Sequence, residues 1–334
     1  MTHLTYLEAA VVGLIQGVSE MFPVSSLGHN VLIPAFVGGS WARDLNVATP
    51  ESPYLAYIVG LHVATAIALI IYFWRDWLKI IGGFLTSVRD RRVETNDQRL
   101  AWMIIFATIP VGIAGLAFEH AFRVIFGKPV YAGIFLMVNG VILIAGERYR
   151  SRASRAADAA VAAERQPGRA APAREPALAT AGRHREAGAP AVRQLELADS
   201  ARSDRRLAAM GYPQAVAIGS AQVLALLAGI SRDGVTIVAG MARGLSREDA
   251  ARFAFLLATP VILAAGALKV PDLLGPLGHG IRGQILVGSL LSGVGAYLAV
   301  RYLLRYLRTR TLTPFGVYCL IAGLASVIYL GLVR

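Results

Sequence analysis

The chain has 334 residues, of which 55% are hydrophobic and 16% are charged, whereas an ordinary soluble domain carries about 25% charged residues. This composition excludes a typical cytosolic enzyme. The formal net charge of +12 does not indicate nucleic-acid binding, because the Lys and Arg residues lie between apolar stretches instead of forming one solvated basic domain. The single cysteine, Cys319, lies inside an apolar stretch, so the sequence predicts neither a disulfide framework nor a cysteine-based metal site.

Six apolar stretches are long enough to cross a hydrocarbon core about 30 Å thick. In chain order they cover residues 54–74, 100–118, 129–147, 251–270, 284–300 and 313–333. Three basic connections join them, from Arg75 to Arg99, from Arg148 to Arg206 and from Arg301 to Arg310. The positive-inside rule places all three in the cytoplasm, which fixes the predicted direction of every span.

Two further apolar regions, 5–38 and 211–242, are predicted to enter the membrane and return on the same side. The neighbouring spans leave both ends of the first region outside and both ends of the second inside. Each region is interrupted by a polar, Gly-containing segment, from Pro23 to His29 and from Gly229 to Gly234. Non-helical backbone at membrane depth needs protein or a wet cavity around it, so we predict two re-entrant helix hairpins. The first is not a cleaved signal peptide, since no Lys or Arg precedes it.

The two hairpins resemble each other. At one constant offset, without gaps, Gly13, Gln16, Ser25 and Gly28 fall on Gly219, Gln222, Ser231 and Gly234. Each hairpin precedes three spans, and the two halves run in opposite directions, which is the pattern of an inverted-topology repeat with a site where the broken segments meet. The alternative is a chance match in a sequence rich in Gly and Ala.

Residues 151–209 differ from both halves. They contain no aromatic residue, much Ala and Arg, and scattered Pro. Such a segment cannot bury enough apolar surface to fold, so we predict a disordered cytoplasmic linker whose charges are solvated and hold it inside. Contact of these charges with anionic membrane lipids is a further option. The predicted fold is an all-α integral membrane protein with a first repeat over 1–150, this linker, and a second repeat over 210–334.

Ionisable side chains in membrane segments are costly and are functional candidates by default. Gln16 and Glu20 are four residues apart, so they share a helix face, and the segment that follows carries two serines and His29. The second hairpin brings Arg232 to membrane depth, and its planar guanidinium matches phosphate oxygens. These residue types suit phosphoryl chemistry.

Structural roles for the same residues stay open. Glu20 and Arg232 can form a buried structural ion pair, and His29 can be an interfacial histidine. Ser25 and Ser26 can cap a helix, which is compatible with an anion site at that helix end. His62 stands alone on its span and is more often structural.

Three segments resemble the signature motifs of the undecaprenyl-diphosphate phosphatase family of the bacitracin-resistance type. They are Gln16-x-x-x-Glu20, Pro23-Val24-Ser25-Ser26-Leu27-Gly28-His29 and Gly229-Ile230-Ser231-Arg232-Asp233-Gly234-Val235-Thr236, and the segment from Ser246 to Phe253 is similar as well. The resemblance implies removal of the terminal phosphate of undecaprenyl diphosphate to recycle the lipid carrier of cell-wall synthesis. It also implies a divalent cation, Mg²⁺ with Ca²⁺ as the alternative, and a site facing the outer side of the bacterial inner membrane. The partners it implies are the polyprenyl substrate and membrane lipids; a homodimer is compatible with it.

On this resemblance the expected roles are as follows. Glu20 and Gln16 hold the metal ion, Ser26 is the nucleophile, His29 accepts its proton or activates water, and Arg232 stabilises charge on the phosphoryl group. Hydroxyl contacts come from Ser25, Ser231 and Thr236, and close backbone approach from Gly28 and Gly234. A metal-bound water is the alternative nucleophile. A lipid-phosphate transporter using the same inverted-repeat site is the alternative function.

Two departures from the family pattern concern charge. Gln16 stands where Glu is frequent, which removes one negative charge from a metal site. Asp233 stands where the family has Ser, beside Arg232. We expect this carboxylate either to bind an extra cation or to reduce efficiency.

Overall fold

The computed structural model describes residues 4–45, 53–126, 128–164, 202–275 and 280–332. Within these ranges the regular elements are helices. They are α1 (Tyr6–Met21), α2 (Ser26–Val37), α3 (Gly39–Asp44), α4 (Pro53–Tyr72), α5 (Trp74–Asp90), α6 (Asn96–Phe126), α7 (Pro129–Glu164), α8 (202–208), α9 (Tyr212–Ser220), a 3₁₀ turn (Ala221–Leu226), α10 (Arg232–Ala242), α11 (Arg247–Leu274), α12 (Arg282–Leu307) and α13 (Thr313–Leu332).

The long helices α6, α7, α11, α12 and α13 are apolar and long enough to cross a membrane, and α4 is a sixth candidate that bends by 86° into α5. The six predicted spans fall on these six helices; residue 333, the end of the last span, lies outside the described residues. Many Leu and Ile side chains on them are exposed, for example Leu116 and Leu286. Apolar surface of this extent faces lipid in a membrane protein. The protein is an all-helical, multi-pass membrane protein.

The first basic connection, predicted only as a cytoplasmic loop, contains helix α5. Its apolar side chains recur at helical spacing, and Leu78, Ile81, Leu85 and Val88 on one face are exposed. An exposed apolar face on such a helix suits contact with the membrane interface, while its buried side, with Ile80, Gly83 and Ser87, packs on the protein. Three basic residues of the connection, Arg75, Lys79 and Arg89, therefore belong to a helix instead of a loop.

Both predicted hairpins are broken helices. Thr5 and Glu8 form a capping box that starts α1, and α1 ends one residue before Phe22, followed by Pro23, which cannot continue a helix. In the second half, α9 tightens into the 3₁₀ turn before the chain leaves helical geometry at Leu227. In each hairpin a new helix then begins directly after a serine, Ser25 or Ser231. The serine hydroxyl accepts a hydrogen bond from the backbone N–H of the residue three positions later.

Equivalent glycines hold equivalent helices together in the two halves. Gly13 of α1 packs directly on Gly288 of α12, and Gly219 of α9 packs on Ala107 of α6. A side chain at either glycine would collide with backbone atoms of the facing helix. Because α12 and α6 are the second spans of opposite halves, each hairpin packs against the second span of the other repeat, as a two-fold related pair requires.

The third spans of the two halves run in opposite directions. Gly133 of α7 contacts Gly323 of α13, and Gly140 contacts Gly316, so residue numbers rise along one helix as they fall along the other. Small residues at these crossings let the helix backbones approach closely, as is usual between membrane helices. The antiparallel pairing agrees with the inverted repeat predicted from the sequence.

The predicted linker is helical at both ends. Residues 151–164 continue α7, and residues 202–208 form α8; residues 165–201 lie outside the described part of the chain. The Ala content of 151–164 favours helix without any packing. At the other end, Asp204 of α8 accepts a hydrogen bond of 2.6 Å from Arg252 of α11, which also binds Asp76 of α5 at 2.9 Å. The expectation of disorder over all of 151–209 is therefore wrong at these two ends.

Candidate active site

The breaks of the two hairpins meet at a polar cavity of about 150 Å³. Its polar lining comes from both halves of the chain, with Glu20, Ser25 and Ser26 from the first hairpin and Ser231 and Arg232 from the second. The first turns of α2 and α10 both begin there. Helix N-termini favour negative charge, so the cavity suits an anion.

Glu20 is the centre of this site. Its Oε2 accepts hydrogen bonds from Ser26 Oγ and from Gln16 Nε2, the latter at 2.9 Å, and lies 3.2 Å from His62 Nε2. Its Oε1 accepts from Arg232 Nη2. A buried carboxylate is costly unless it is paired and hydrogen-bonded, and these four donors, each from a different helix, compensate it. The structural ion pair considered for Glu20 and Arg232 is thus present, inside a cluster that also holds a hydroxyl.

His62 belongs to this cluster, although its isolated position in an apolar span favoured a structural role. Its Nδ1 lies 2.9 Å from the carbonyl oxygen of Ile58, and its Nε2 faces Glu20. Both neighbours are acceptors, and a neutral imidazole has one N–H only. The geometry therefore calls for a doubly protonated His62 or for a proton held on Glu20. The sequence feature that could have indicated a role for His62 was its position as a polar residue within an apolar span.

His29 lies outside the cluster. Its Nδ1 is 2.7 Å from the carbonyl oxygen of Ser25, and its Nε2 is 2.7 Å from the hydroxyl of Tyr318, against which the ring stacks. The imidazole faces an apolar groove formed with α1 and α13. The sequence-based pairing of His29 with Ser26 is therefore not found, because both nitrogens are directed at other groups.

Two asparagines that were not among the predicted site residues hold the site together. Asn139 of α7 donates to the carbonyl oxygen of Pro23 at 2.9 Å and accepts from the backbone N–H of Ser231 at 3.0 Å, so it ties both breaks to one span. Asn30 donates to Gln16 Oε1 at 2.5 Å. Each buried amide satisfies groups that would otherwise be unpaired.

Ser25 joins the two hairpins directly. Its hydroxyl accepts from the backbone N–H of Gly28 and from that of Gly229, each at 3.2 Å. Ser25 has a φ of +67°, a left-handed conformation that is uncommon for residues other than glycine. The strain is compensated by the two bonds, so Ser25 acts as a helix cap and a link between the halves.

The other predicted site residues divide between the cavity and its support. A methyl group on Gly28 would lie 2.9 Å from Gly229 Cα, so the predicted close backbone approach is found there. Gly234 donates its N–H to the capping hydroxyl of Ser231 at 3.1 Å. Thr236 is buried, and its hydroxyl donates to the carbonyl oxygen of Arg232, which positions α10 instead of lining the cavity.

Gln222 and Asp233 are buried without partners among the described residues. Both polar atoms of the Gln222 amide, which lines the cavity, lack a hydrogen bond, and so do both oxygens of Asp233. Asp233 Oδ1 lies 3.9 Å from Arg232 Nε, too far for a hydrogen bond. The orphaned amide of Gln222 in the cavity wall is therefore available to a ligand, whereas Asp233 does not line this cavity.

A divalent cation such as Mg²⁺ requires oxygen ligands around the site. Among the described residues, no group of three His, Cys, Asp or Glu side chains is placed to hold a metal ion. Gln16 directs its Nε2 to Glu20 and its Oε1 to Asn30, so it does not present an oxygen beside Glu20. Mg²⁺ is nevertheless commonly held by one or two carboxylates together with substrate phosphates and water. Glu20 fits that requirement.

Fold and site together define a class: an integral membrane protein of two inverted halves, whose broken hairpins present a carboxylate, a hydroxyl and a guanidinium to one anion-binding cavity. The family model described as bacitracin resistance protein BacA matches residues 9–167 and 188–325. The chain belongs to this family.

Relatives match over nearly their full length. An undecaprenyl-diphosphatase of Mycolicibacterium paratuberculosis is 57% identical over 330 residues, covering 99% of each chain. Undecaprenyl-diphosphatase 2 of Frankia alni is 53% identical over 334 residues, with 97% of each chain covered. Undecaprenyl-diphosphatase 2 of Chromobacterium violaceum is 35% identical over 328 residues, with 97% of this chain and 98% of the relative covered.

Proposed function

We propose that this protein is an undecaprenyl-diphosphate phosphatase, which removes the terminal phosphate and returns undecaprenyl phosphate for use as a lipid carrier in cell-wall synthesis. The names of the full-length relatives support this activity. The observation that carries it is the convergence of Ser26 and Arg232 on the carboxylate of Glu20 in one cavity. A nucleophile, a proton acceptor and a phosphate-binding cation are thus in contact.

The first step is transfer of the terminal phosphoryl group to Ser26. Ser26 Oγ attacks the terminal phosphorus, its proton passes to Glu20 Oε2, with which it is already hydrogen-bonded, and the bond from phosphorus to the bridging oxygen breaks. Undecaprenyl phosphate leaves. Arg232 stabilises the charge on the phosphoryl oxygens, since a guanidinium presents its donors in a planar fork. In the second step water attacks the phosphorus of the phosphoserine, the bond from phosphorus to Ser26 Oγ breaks, and Glu20 returns its proton to that oxygen as inorganic phosphate leaves.

His62 supports this sequence from behind Glu20. It lies 3.2 Å from the oxygen that accepts the Ser26 proton. By donating to this oxygen it holds the carboxylate in place, as a third group orients the base in other nucleophile and base pairs. We assign it a positioning role.

A divalent cation, Mg²⁺ or Ca²⁺, is the proposed cofactor. It would be held by Glu20 with phosphate oxygens and water, and it would supply neutralisation of phosphate charge. Such an ion would also favour water as the competing nucleophile in place of Ser26, and substitution of Ser26 decides between the two routes.

We further propose that the protein lies in the bacterial inner membrane with its basic end in the cytoplasm and its site open to the outer side. Ion pairs at one end of the bundle support a common side for the basic connections: Arg247 with Glu147, and Arg308 with Glu248 at 2.8 Å. Cysteines introduced at residue 40 and in 165–201 test the sidedness with an impermeant reagent in intact cells. Labelling of the second position alone contradicts this orientation.

Phosphate release by detergent-purified protein tests the activity. Undecaprenyl diphosphate should give one inorganic phosphate and one undecaprenyl phosphate per molecule, and EDTA should stop the reaction until Mg²⁺ is restored. A transporter of lipid phosphates releases no phosphate under any of these conditions. The comparisons give no support to the transporter alternative.

A further inference from the structure

We infer that the prenyl chain of the substrate leaves the polar cavity over Leu226 and lies in an apolar cavity between α6 and α11. This inference rests on the proposed function, because it takes the ligand to be a diphosphate joined to a long hydrocarbon chain. Such a ligand needs an apolar surface that begins at the phosphate site and ends in the bilayer.

The cavity between α6 and α11 meets the first need, contact with the phosphate site. It has a volume of about 510 Å³, and most of its lining is aliphatic. Val111, Leu226 and Val261 line both this cavity and the polar one that contains Glu20. The two spaces are therefore adjacent, with three apolar side chains at their junction.

The position of Leu226 follows from the repeat. Gln16 and Gln222 are equivalent, so the residue four positions after each is also equivalent, and these residues are Glu20 and Leu226. Both side chains line the polar cavity. The two halves thus present different groups at one register: a carboxylate in the first half and an aliphatic surface in the second. This asymmetry gives the cavity a charged wall and an apolar exit.

The outer end of the apolar cavity reaches the lipid-facing surface. Leu116 and Leu268, which line it, are 78% and 63% exposed. Its wall includes Gly112 and Gly115 of α6, and a Cβ built at either glycine meets no other atom within 4 Å. The missing side chains of these two glycines therefore leave open space beside α6 that no neighbouring helix fills.

A second apolar groove competes with this assignment. It lies between α1, α2 and α13, has a volume of about 560 Å³, and is lined by His29, Phe315 and Tyr318 among others. None of its lining residues, within the described chain, also lines the polar cavity. A chain bound there would have no continuous apolar path to the phosphate site, so we assign the prenyl chain to the cavity between α6 and α11.

Photolabelling of the purified full-length protein tests the assignment. The probe is a polyprenyl diphosphate with a diazirine in the isoprene unit next to the diphosphate, and labelled peptides are mapped by mass spectrometry. The variant is Gly115→Leu, whose Cβ meets no other atom within 4 Å, whose side chain occupies cavity space, and which favours the helix. The matched control is Gly331→Leu in α13, where an added Cβ also meets nothing within 4 Å. Leu14→Trp fills the competing groove.

The expected label lies in residues 108–116 and 260–268, competes with unlabelled undecaprenyl diphosphate, and is lost in Gly115→Leu alone. The KM for undecaprenyl diphosphate should rise about tenfold in that variant, as for lost contact with about two CH₂ groups. Competed label in α1 or α13, label insensitive to Gly115→Leu, or no competed label each overturns the assignment. Failure of the wild-type protein to release phosphate from undecaprenyl diphosphate contradicts the proposed function instead, whatever the position of the label.

Discussion

Gln16 and Gln222 occupy equivalent positions in the two hairpins, but only Gln16 has hydrogen-bond partners. Gln16 donates to Glu20 and accepts from Asn30. Gln222 has Leu226 where Gln16 has Glu20, and among the described residues both polar atoms of its amide are unpaired, with the side chain 1% exposed. A buried unsatisfied amide costs stability in the empty protein. Its position in the cavity wall makes it available to a phosphate oxygen.

The first prediction is that Gln222→Leu weakens substrate binding without destabilising the protein. A hydrogen bond to a charged group contributes about 1.5–3 kcal/mol, so its loss should raise KM about 10- to 100-fold. The melting temperature should stay constant or rise. The control is Gln16→Leu, which removes two internal hydrogen bonds and should lower the melting temperature. An unchanged KM for Gln222→Leu would show that the amide does not touch the substrate.

The second prediction concerns the contact between His62 and Glu20. His62→Leu removes the donor that faces Glu20 Oε2 and should lower kcat by about 10- to 100-fold, in line with a hydrogen bond to a charged group. His62→Gln retains an amide donor and should recover part of this loss. The melting temperature of both variants separates positioning from general stability. Equal kcat values for the Leu and Gln variants would contradict the positioning role.

Much of the fold follows from the sequence because long apolar runs and the distribution of basic residues constrain a membrane protein strongly. The six spans and both hairpin breaks were predicted, and the pair of Glu20 with Arg232 was an alternative left open, whereas the contact of Glu20 with Ser26 was not predicted. Helix α5 was missed because its basic residues were interpreted as a loop signal, although its apolar residues follow helical spacing. His62 and Asn139 were missed because a lone polar residue in an apolar helix does not indicate which neighbour it meets. His29 was misplaced because sequence proximity to Ser26 does not determine the face on which its imidazole points.

The third prediction is that Asp233→Ser stabilises the protein. Asp233 is 1% exposed and, within the described residues, neither of its oxygens has a hydrogen bond. A carboxylate in the first turn of a helix gains about 0.3–1 kcal/mol from the helix dipole, which is less than the several kcal/mol that burial of an ion costs. The melting temperature in detergent should rise, with phosphate release retained or increased. A lower melting temperature would indicate that Asp233 has a cation or proton that compensates it.

The fourth prediction is that residues 165–201 of the linker are dispensable for activity, whereas its helical end, α8, contributes to stability. Replacing residues 165–201 by a short Gly/Ser segment should leave phosphate release within a few fold. Asp204→Ala removes one of the two carboxylates bound to buried Arg252 and should cost about 1–3 kcal/mol, less than complete loss of a buried pair because Asp76 remains.

The control for Asp204→Ala is Glu94→Ala, which breaks an exposed ion pair with Arg92 at 3.7 Å. Exposed pairs contribute little, so this variant should match the wild type. Loss of activity in a folded protein that lacks only 165–201 would show that this segment contributes to the site.

The measurement that tests the catalytic account most directly is phosphate release from undecaprenyl diphosphate by Ser26→Ala, Ser25→Ala and Glu20→Gln beside the wild type. Ser26→Ala removes the attacking oxygen and should show no turnover. Ser25→Ala removes a helix cap worth about 1 kcal/mol and a link between the hairpins, so it should lower the melting temperature while activity stays measurable. Glu20→Gln should raise the Mg²⁺ requirement as well as lower the rate. Near-normal turnover by Ser26→Ala together with an inactive Glu20→Gln would contradict the covalent route and make a metal-activated water the nucleophile.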